Sequence, residues 1–362
     1  MAGEASGDLH AASVLAELKK LAPGVQTFGI GGDLLAAQGM NVLHHAREMG
    51  MVGLFNVLRH LGMFRRIFRE LMDRLAAEKP DAVLLVDYPD FNLRVARKCK
   101  TMGLPVIYFI SPQVWAWRRG RVKEIAKNVD RMIVIFPFER DFYEEHKVPV
   151  TYVGHPLIDQ TANIHRAEPK PGILRIALMP GSRRREVEDL LPPMLDALAI
   201  LAAERGIDPF IIQAPTIDRQ QLEQIARAKG TQLEIIAEDR GQALASADLA
   251  ISSSGTATLE SAILGTPVVV LYKLSAATYL ITKRLVRLRH FSLVNIVAGR
   301  EVVPELLQGE VTGERIAGVV RTLIQPEQSS RVRSDLLEVK NRLGEPGASR
   351  RAAEAIMSAL NR

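Results

Sequence analysis

Arg175-Ile176-Ala177-Leu178-Met179-Pro180-Gly181-Ser182-Arg183-Arg184-Arg185-Glu186 is the stretch whose reading decides the fold. It opens as an apolar strand. From Glu186 to about Arg205 the apolar positions Val187, Leu190, Leu191, Leu195, Leu198 and Leu201 then recur at helical spacing. A strand that passes through a Pro-Gly-Ser turn into a helix presents backbone N–H groups at the positive end of the helix dipole, where a phosphate or diphosphate binds. Arg183, Arg184 and Arg185 add guanidinium forks to that corner. A solvated basic turn at a helix start is the plainer reading of the same residues.

A second corner weakens the plainer reading. Asp248–Ser254 (DLAISSS) is another strand, and it opens into Gly255-Thr256-Ala257-Thr258-Leu259-Glu260, a helix start reaching about Leu264. Gly255 lets a ligand approach the backbone closely, and Ser254 and Thr256 bring hydroxyls and N–H donors. Glu260 lies one turn in, where a carboxylate can accept bonds from the two vicinal hydroxyls of a ribose; it is equally a first-turn acid favoured by the dipole. Together Gly181, Ser182, Arg183, Ser254, Gly255, Thr256 and Glu260 suit a nucleotide diphosphate lying across the switch point of a doubly wound sheet.

The 362 residues are too many for one ordinary domain and suit two. A 47% hydrophobic and 24% charged composition permits large cores and argues against disorder. Only 5% is aromatic, which disfavours a nucleic-acid reader built on stacked rings. The single cysteine, Cys99, excludes a disulfide framework and suits a reducing cytoplasm. The eight histidines form no close ligand pattern, so no metal and no cofactor are expected. Net charge +6 and a pI near 9.4 point to an anionic partner. No apolar run reaches the roughly 18 residues of a membrane span, and no signal peptide is recognised ahead of the fold.

Strand and helix patterns alternate along the whole chain, which predicts an α/β fold of two Rossmann-like domains with parallel sheets facing a cleft. The first domain is expected over residues 1–162, with a C-terminal helix at about 345–362 packing back onto it. The second is expected over 173–344, and Asn163–Gly172, with Pro169 and Pro171, reads as the linker. Expected strands of the first domain lie near Thr27–Ile30, Ala82–Val86, Val106–Ile110, Met132–Phe136 and Thr151–Val153. Those of the second lie near Arg175–Met179, Phe210–Gln213, Glu234–Ile236, Leu249–Ser252 and Val268–Leu271. The chain opens on the loop Gly3-Glu4-Ala5-Ser6-Gly7-Asp8 with a helix behind it and no strand leading in. Either the start is placed late or the first domain lacks its innermost strand. A domain intact in outline but weakened by several kcal/mol is expected, because buried backbone groups would go unpaired.

In the first domain, Asp81–Val86 is a buried strand ending in Asp87-Tyr88-Pro89-Asp90-Phe91-Asn92. A carboxylate at the carboxyl end of a parallel strand faces the ligand crevice, so Asp87 is placed to act as general base on a sugar hydroxyl. Asp90 is the competing base, although DFN before a helix also suits an N-cap. Ser111–Arg118 (SPQVWAWR) holds both tryptophans, Trp115 and Trp117, as a ligand-lining rim or as packing under a loop. Glu4, Ser6, Gly7 and Asp8 line the same edge. His155, in Gly154-His155-Pro156, either touches ligand or hydrogen-bonds in the hinge.

Two stretches are apolar and strongly basic. Val52–Leu75 interleaves Phe55, Leu58, Phe64, Ile67 and Phe68 with Arg59, Arg65, Arg66, Arg69 and Arg74; Tyr279–His290 carries Lys283, Arg284, Arg287 and Arg289. They read as interfacial segments for anionic lipid or, for the first, as a core helix with a solvated face.

AGEASGD, VDYPDFN, SPQVWAWR, FPFE, VGHPL, the PGSR corner, SSGTATLE and Ser292–Glu301 (SLVNIVAGRE) resemble, in combination and along the whole length, the lipid-A-disaccharide synthases, glycosyltransferases of GT-B architecture. The departure is the absent lead strand. The resemblance implies a donor UDP-2,3-diacylglucosamine, an acceptor 2,3-diacylglucosamine 1-phosphate, inversion at the anomeric centre, release of UDP and no metal. It implies a cytoplasmic enzyme held peripherally on the inner membrane of a Gram-negative bacterium, in a family with some homodimers that exchange C-terminal segments. It places the essential aspartate on Asp87 and the essential arginine on Arg183, and gives Asn295 the orienting of sugar or phosphate. The rival expectations are another GT-B UDP-sugar enzyme, transferase or epimerase, and a non-catalytic UDP-sugar or lipid-binding protein. A nucleic-acid protein is disfavoured without a stacking or helix-turn-helix signature.

Overall fold

The computed structural model describes residues 1–50, 57–116, 119–166, 172–274 and 289–360, with the backbone alone described at 50, 57–61 and 119. The chain divides into two compact units, Met1–Pro156 with Gly344–Arg362, and Leu157–Leu343. The division falls ahead of the Pro169–Pro171 stretch.

In the first unit the elements run α1 (Ala5–Leu21), β1 (Phe28–Gly31), α2 (Asp33–Ala37), β2 (Asn41–His45), α3 (Ala46–Gly50), α4 (Val57–Glu78), β3 (Val83–Val86), α5 (Pro89–Thr101), β4 (Val106–Phe109), α6 (Val122–Asn128), β5 (Arg131–Val134), α7 (Pro137–Glu145) and β6 (Val150–Tyr152). β3-β4-β5-β6 form a four-stranded parallel sheet, and β1 and β2 form a separate parallel pair. β4 is buried at every position, as expected of a strand covered on both faces. The helix Ala348–Leu360 packs on α1, and Arg351 Nε donates to the carbonyl of Val153 at 2.8 Å.

The first two residues pair with strands on both sides. Ala2 N–H donates to Ile30 O (2.9 Å), Val86 N–H donates to Met1 O (2.9 Å), and Ala2 makes a parallel bridge to Val86. Two residues thus hold the position of a strand between β1 and β3.

The second unit runs α8 (Leu157–Gln160), β7 (Leu174–Met179), α9 (Arg184–Ala202), β8 (Ile207–Ile212), α10 (Arg219–Ala228), β9 (Glu234–Ile236), α11 (Arg240–Ala245), β10 (Leu249–Ser253), α12 (Thr256–Ile263), β11 (Val268–Tyr272), α13 (Leu293–Ala298), β12 (Glu305–Leu307), α14 (Gly313–Leu323) and α15 (Pro326–Arg342). Its six strands are all parallel in the order β12-β11-β10-β7-β8-β9. Counted from one edge this is the doubly wound order, with β7 and β10 adjacent at the centre and the chain leaving them in opposite directions. The two corners singled out in the sequence therefore sit side by side at the switch point. β2 and β12 were not expected from the sequence.

Of the two basic-apolar stretches, residues 52–56 and 279–288 lie outside the described residues. In the described part of the first, Ile67, Leu71, Met72 and Leu75 are buried in the core with Phe64 and Phe68 packed against it, while Arg65, Arg66, Arg69 and Arg74 are exposed. That part is a core helix with a solvated basic face. Among the described residues no helix is long and apolar enough to cross a membrane.

Candidate functional site

In the first unit Asp87 ends β3 in a left-handed conformation (φ 45°), and Tyr88 follows it at φ 49°. Two successive non-glycine residues in that region cost of order 1–3 kcal/mol each and persist only where the surroundings enforce them. Here Asp87 N–H donates to Phe109 O (3.1 Å), while Asp87 O accepts from Tyr108 Oη (2.6 Å) and from Asn92 Nδ2 (2.7 Å). Held this way, the half-buried carboxyl has its pKa raised to about 6, first by burial and then by the charge of Glu4. Glu4, at the start of α1, is exposed, and so is Ser6. Glu4 and Asp87 are thus brought within electrostatic reach, and the ring of Tyr88 covers Gly3 so closely that a Cβ there would stand 2.7 Å from Cδ1.

Other expected residues of this edge have structural work instead. Asp90 is in the first turn of α5, is not its N-cap, and pairs with Arg121 at 2.6 Å. Gly7 is buried against Ala2 and Val86, where a Cβ would lie 3.4 Å from Ala2 Cβ. Asp8 is buried and accepts from Gly32, Leu34 and Leu35 N–H at 2.7, 3.0 and 3.3 Å, capping α2 from outside. Trp115 is 7% exposed; its Nε1–H donates to Glu139 Oε1 (3.1 Å) and its ring meets Phe138 edge-on. The ligand-rim reading of Trp115 gives way to packing, and Trp117 lies outside the described residues. His155 is 3% exposed beside Phe136, and burial lowers its pKa to about 3, so it is neutral and enclosed. That enclosure counts against the ligand-touching alternative for His155.

Glu139, which the sequence reading passed over, is the centre of that packing. It is 1% exposed, accepts from Trp115 and from Phe136 N–H (3.2 Å), and burial pushes its pKa up to about 8. The signal was present: Pro at the first helical position and Glu at the third is capping-box spacing.

In the second unit, Gly181 (φ 126°) turns the chain out of β7, and Arg183 is the N-cap of α9. Ser182 and Arg183 are exposed. Glu186, also unremarked in the sequence, occupies the amide nest: its Oε2 accepts from Ser182 N–H (3.1 Å) and Arg183 N–H (3.3 Å), and its Oε1 from Arg183 Nη1 (2.6 Å). A carboxylate of the chain's own sits on the donors that an anion would use. Next to it is a cavity of about 230 Å³ lined by Arg183, Arg185, Glu186, Ser253, Ser254, Tyr272 and Lys273. The structure thus brings Arg183 of one corner and Ser254 of the other onto one cavity.

Gly255 caps α12, Thr256 opens it exposed, and Ser254 Oγ donates to Phe291 O at 3.1 Å. The Glu260 carboxyl, its pKa raised by burial, lies toward the start of α11, 3.6 Å from where a Cβ on Gly241 would be. The cavity is lined without it. Asn295 is a correction. It is fully buried; Nδ2 donates to Val303 O and Glu305 Oε1, both at 2.8 Å, and Oδ1 accepts from Val302 N–H (2.7 Å) and Val303 N–H (3.0 Å). All its polar capacity staples α13 to the approach of β12, leaving none for sugar or phosphate. Among the described residues no group of three or more His, Cys, Asp or Glu is arranged to hold a metal ion.

A family model described as lipid-A-disaccharide synthetase matches residues 1–359. The chain is 44% identical over 370 residues to the lipid-A-disaccharide synthase of Myxococcus xanthus (strain DK1622), covering 99% of this chain and 96% of that one. Among solved structures, MurG of Acinetobacter baumannii is similar with TM-score 0.59 at 17% identity, covering 99% of this chain and 98% of that one. UDP-GlcNAc 2-epimerase from Neisseria meningitidis bound to UDP-GlcNAc is similar with TM-score 0.63 at 13% identity, covering 98% of each. At such identities the structural likenesses establish the GT-B fold and nothing finer.

Proposed function

The chain belongs to the lipid-A-disaccharide synthetase family, and from that premise we propose that it condenses UDP-2,3-diacylglucosamine with 2,3-diacylglucosamine 1-phosphate, inverting the anomeric centre and releasing UDP. Asp87 removes the proton from the acceptor's 6-hydroxyl as that oxygen attacks the anomeric carbon from the face opposite UDP. The amide nest of Ser182 and Arg183, the Arg183 guanidinium and the N-terminus of α12 stabilise the charge that develops on the departing diphosphate. Glu186 yields those donors when the diphosphate arrives. Glu260 is assigned to the ribose, and the protein works at the cytoplasmic face of the inner membrane, which the exposed Arg65, Arg66 and Arg69 of α4 support.

The observation that carries the reading is Asp87: a carboxyl held in an enforced left-handed turn at a strand's carboxyl end, with a pKa near 6, is suited to accept a proton near neutral pH. Asp87→Asn is expected to lower UDP release, assayed with both lipid substrates, by about 10²–10⁴-fold. Its UDP affinity by calorimetry is expected to stay within about twofold of wild type. Wild-type turnover in that variant removes Asp87 from the mechanism. Consumption of donor without acceptor would instead favour an epimerase.

A further inference from the structure

Glu186 sits where the proposed donor would place its diphosphate. Its Oε2 accepts from Ser182 N–H and Arg183 N–H, and its Oε1 accepts from Arg183 Nη1. A Cβ on Gly181 would stand 2.7 Å from that Oε2, so the glycine is what leaves room for the carboxylate. The Glu186 side chain is 27% exposed and that of Arg183 79%, which tucks the acid beneath an open guanidinium. Two other residues brace the turn without this acid. Thr216 Oγ1 donates to Ser182 O, and Gln221 Nε2 donates to Arg184 O at 3.1 Å. The carboxylate can therefore leave while the backbone that carries the donors stays in place. The adjoining cavity is lined by Arg183, Arg185 and Lys273 against the carboxylates of Glu186 and Asp189. Asp189 already faces Arg185, 3.6 Å from its Nε. Glu186 is the carboxylate that a phosphate would have to replace.

We propose that Glu186 is an internal competitor for the diphosphate, and that this competition sets how tightly the donor and the product UDP are held. The role rests on the donor-site reading above. A diphosphate gains the amide pair and the Arg183 fork only by expelling an anion from them, and the two like charges cannot share the donors. When UDP departs, the carboxylate returns, so the amides are never left unpaired. UDP is both the handle by which the donor is held and the group that must be let go. A grip equal in ground state and transition state lowers KM without raising kcat, and it delays release of product. Glu186 weakens that grip.

The test uses the full chain and the variants Glu186→Gln and Glu186→Ala. Glutamine keeps an acceptor oxygen for the cap and removes the charge; alanine removes both. Each variant is expected to bind UDP by calorimetry about tenfold or more tightly than wild type, with a lower donor KM and no gain in kcat. Inorganic pyrophosphate is tried as an inhibitor of turnover, and its inhibition constant is expected to fall by the same factor, because the competition is for the phosphate donors alone. Thermal unfolding of Glu186→Gln checks that the corner remains folded. UDP binding that is unchanged or weaker in a folded Glu186→Gln overturns the proposal and leaves Glu186 a helix cap. A tighter grip on UDP with no change for pyrophosphate overturns it too, since the competition would then lie elsewhere. Wild-type protein that binds no UDP at all removes the donor-site reading itself.

Discussion

Glu139→Gln should reverse its effect on stability with pH. Burial raises the Glu139 pKa from 4.5 to about 8, so the folded state holds the proton more tightly than the unfolded chain. The stability this contributes is complete below pH 4.5 and is lost as pH rises through 8, which linkage puts at about 5 kcal/mol. Glutamine does not ionise, so its contribution is flat. It offers one acceptor oxygen where the carboxyl meets two donors, Trp115 Nε1–H and Phe136 N–H. One donor is left unpaired at a cost of about 1–3 kcal/mol at every pH. The variant should therefore be the less stable protein at pH 5 and the more stable at pH 9 by about 2–4 kcal/mol, with the curves crossing between. Urea unfolding followed by tryptophan fluorescence reads this out in the right place, because both tryptophans belong to the first unit. Parallel stability curves for the two proteins from pH 5 to 9 would refute the reasoning, and with it the claim that Glu139 is enclosed.

Gly181→Ala places a Cβ 2.7 Å from Glu186 Cβ at φ 126°; it should weaken UDP binding by calorimetry about tenfold or more, with a stability loss of about 1–3 kcal/mol. Asn295→Ala strands the amides of Val302 and Val303 and should destabilise the second unit by about 3 kcal/mol, leaving the donor KM of the folded fraction unchanged; a raised KM at unchanged Tm would restore a ligand role. Asp8→Asn should cost about 1–3 kcal/mol in thermal unfolding by weakening the cap on α2, with UDP affinity untouched.

The two strand-to-helix corners of the second unit were legible because their geometry is local. An apolar strand, a glycine turn and an amphipathic helix lie within a few residues of each other, and nothing distant alters what they form. Asp87 was legible for the same reason, as the first residue after a buried strand. The two unexpected strands are edge strands: Asn41–His45 is half exposed and Glu305–Leu307 has three residues, too short for a period to register. The misread site residues failed on burial, which distant partners decide. Asp8 is satisfied by amides that begin 24 residues on, and Trp115 by a carboxylate 24 residues on. In a sequence, a polar side chain that staples two elements and one that faces a ligand look alike. Glu186 was overlooked because it serves a helix cap and lines the cavity at once.

The second unit is an insertion within the first, whose closing helix follows Gly344. Synthesis from the N-terminus therefore completes the units in reverse of the order in which they begin. After Pro156 emerges from the ribosome, roughly 10–40 s pass at ordinary elongation rates before the helix Ala348–Leu360 is available to lie on α1. During that interval the surface awaiting Ala352, Ala353 and Ile356, all buried in the finished protein, stands open to chaperones. A premature stop shortly after Leu343 would release a chain whose inserted half is whole and whose opening half is not.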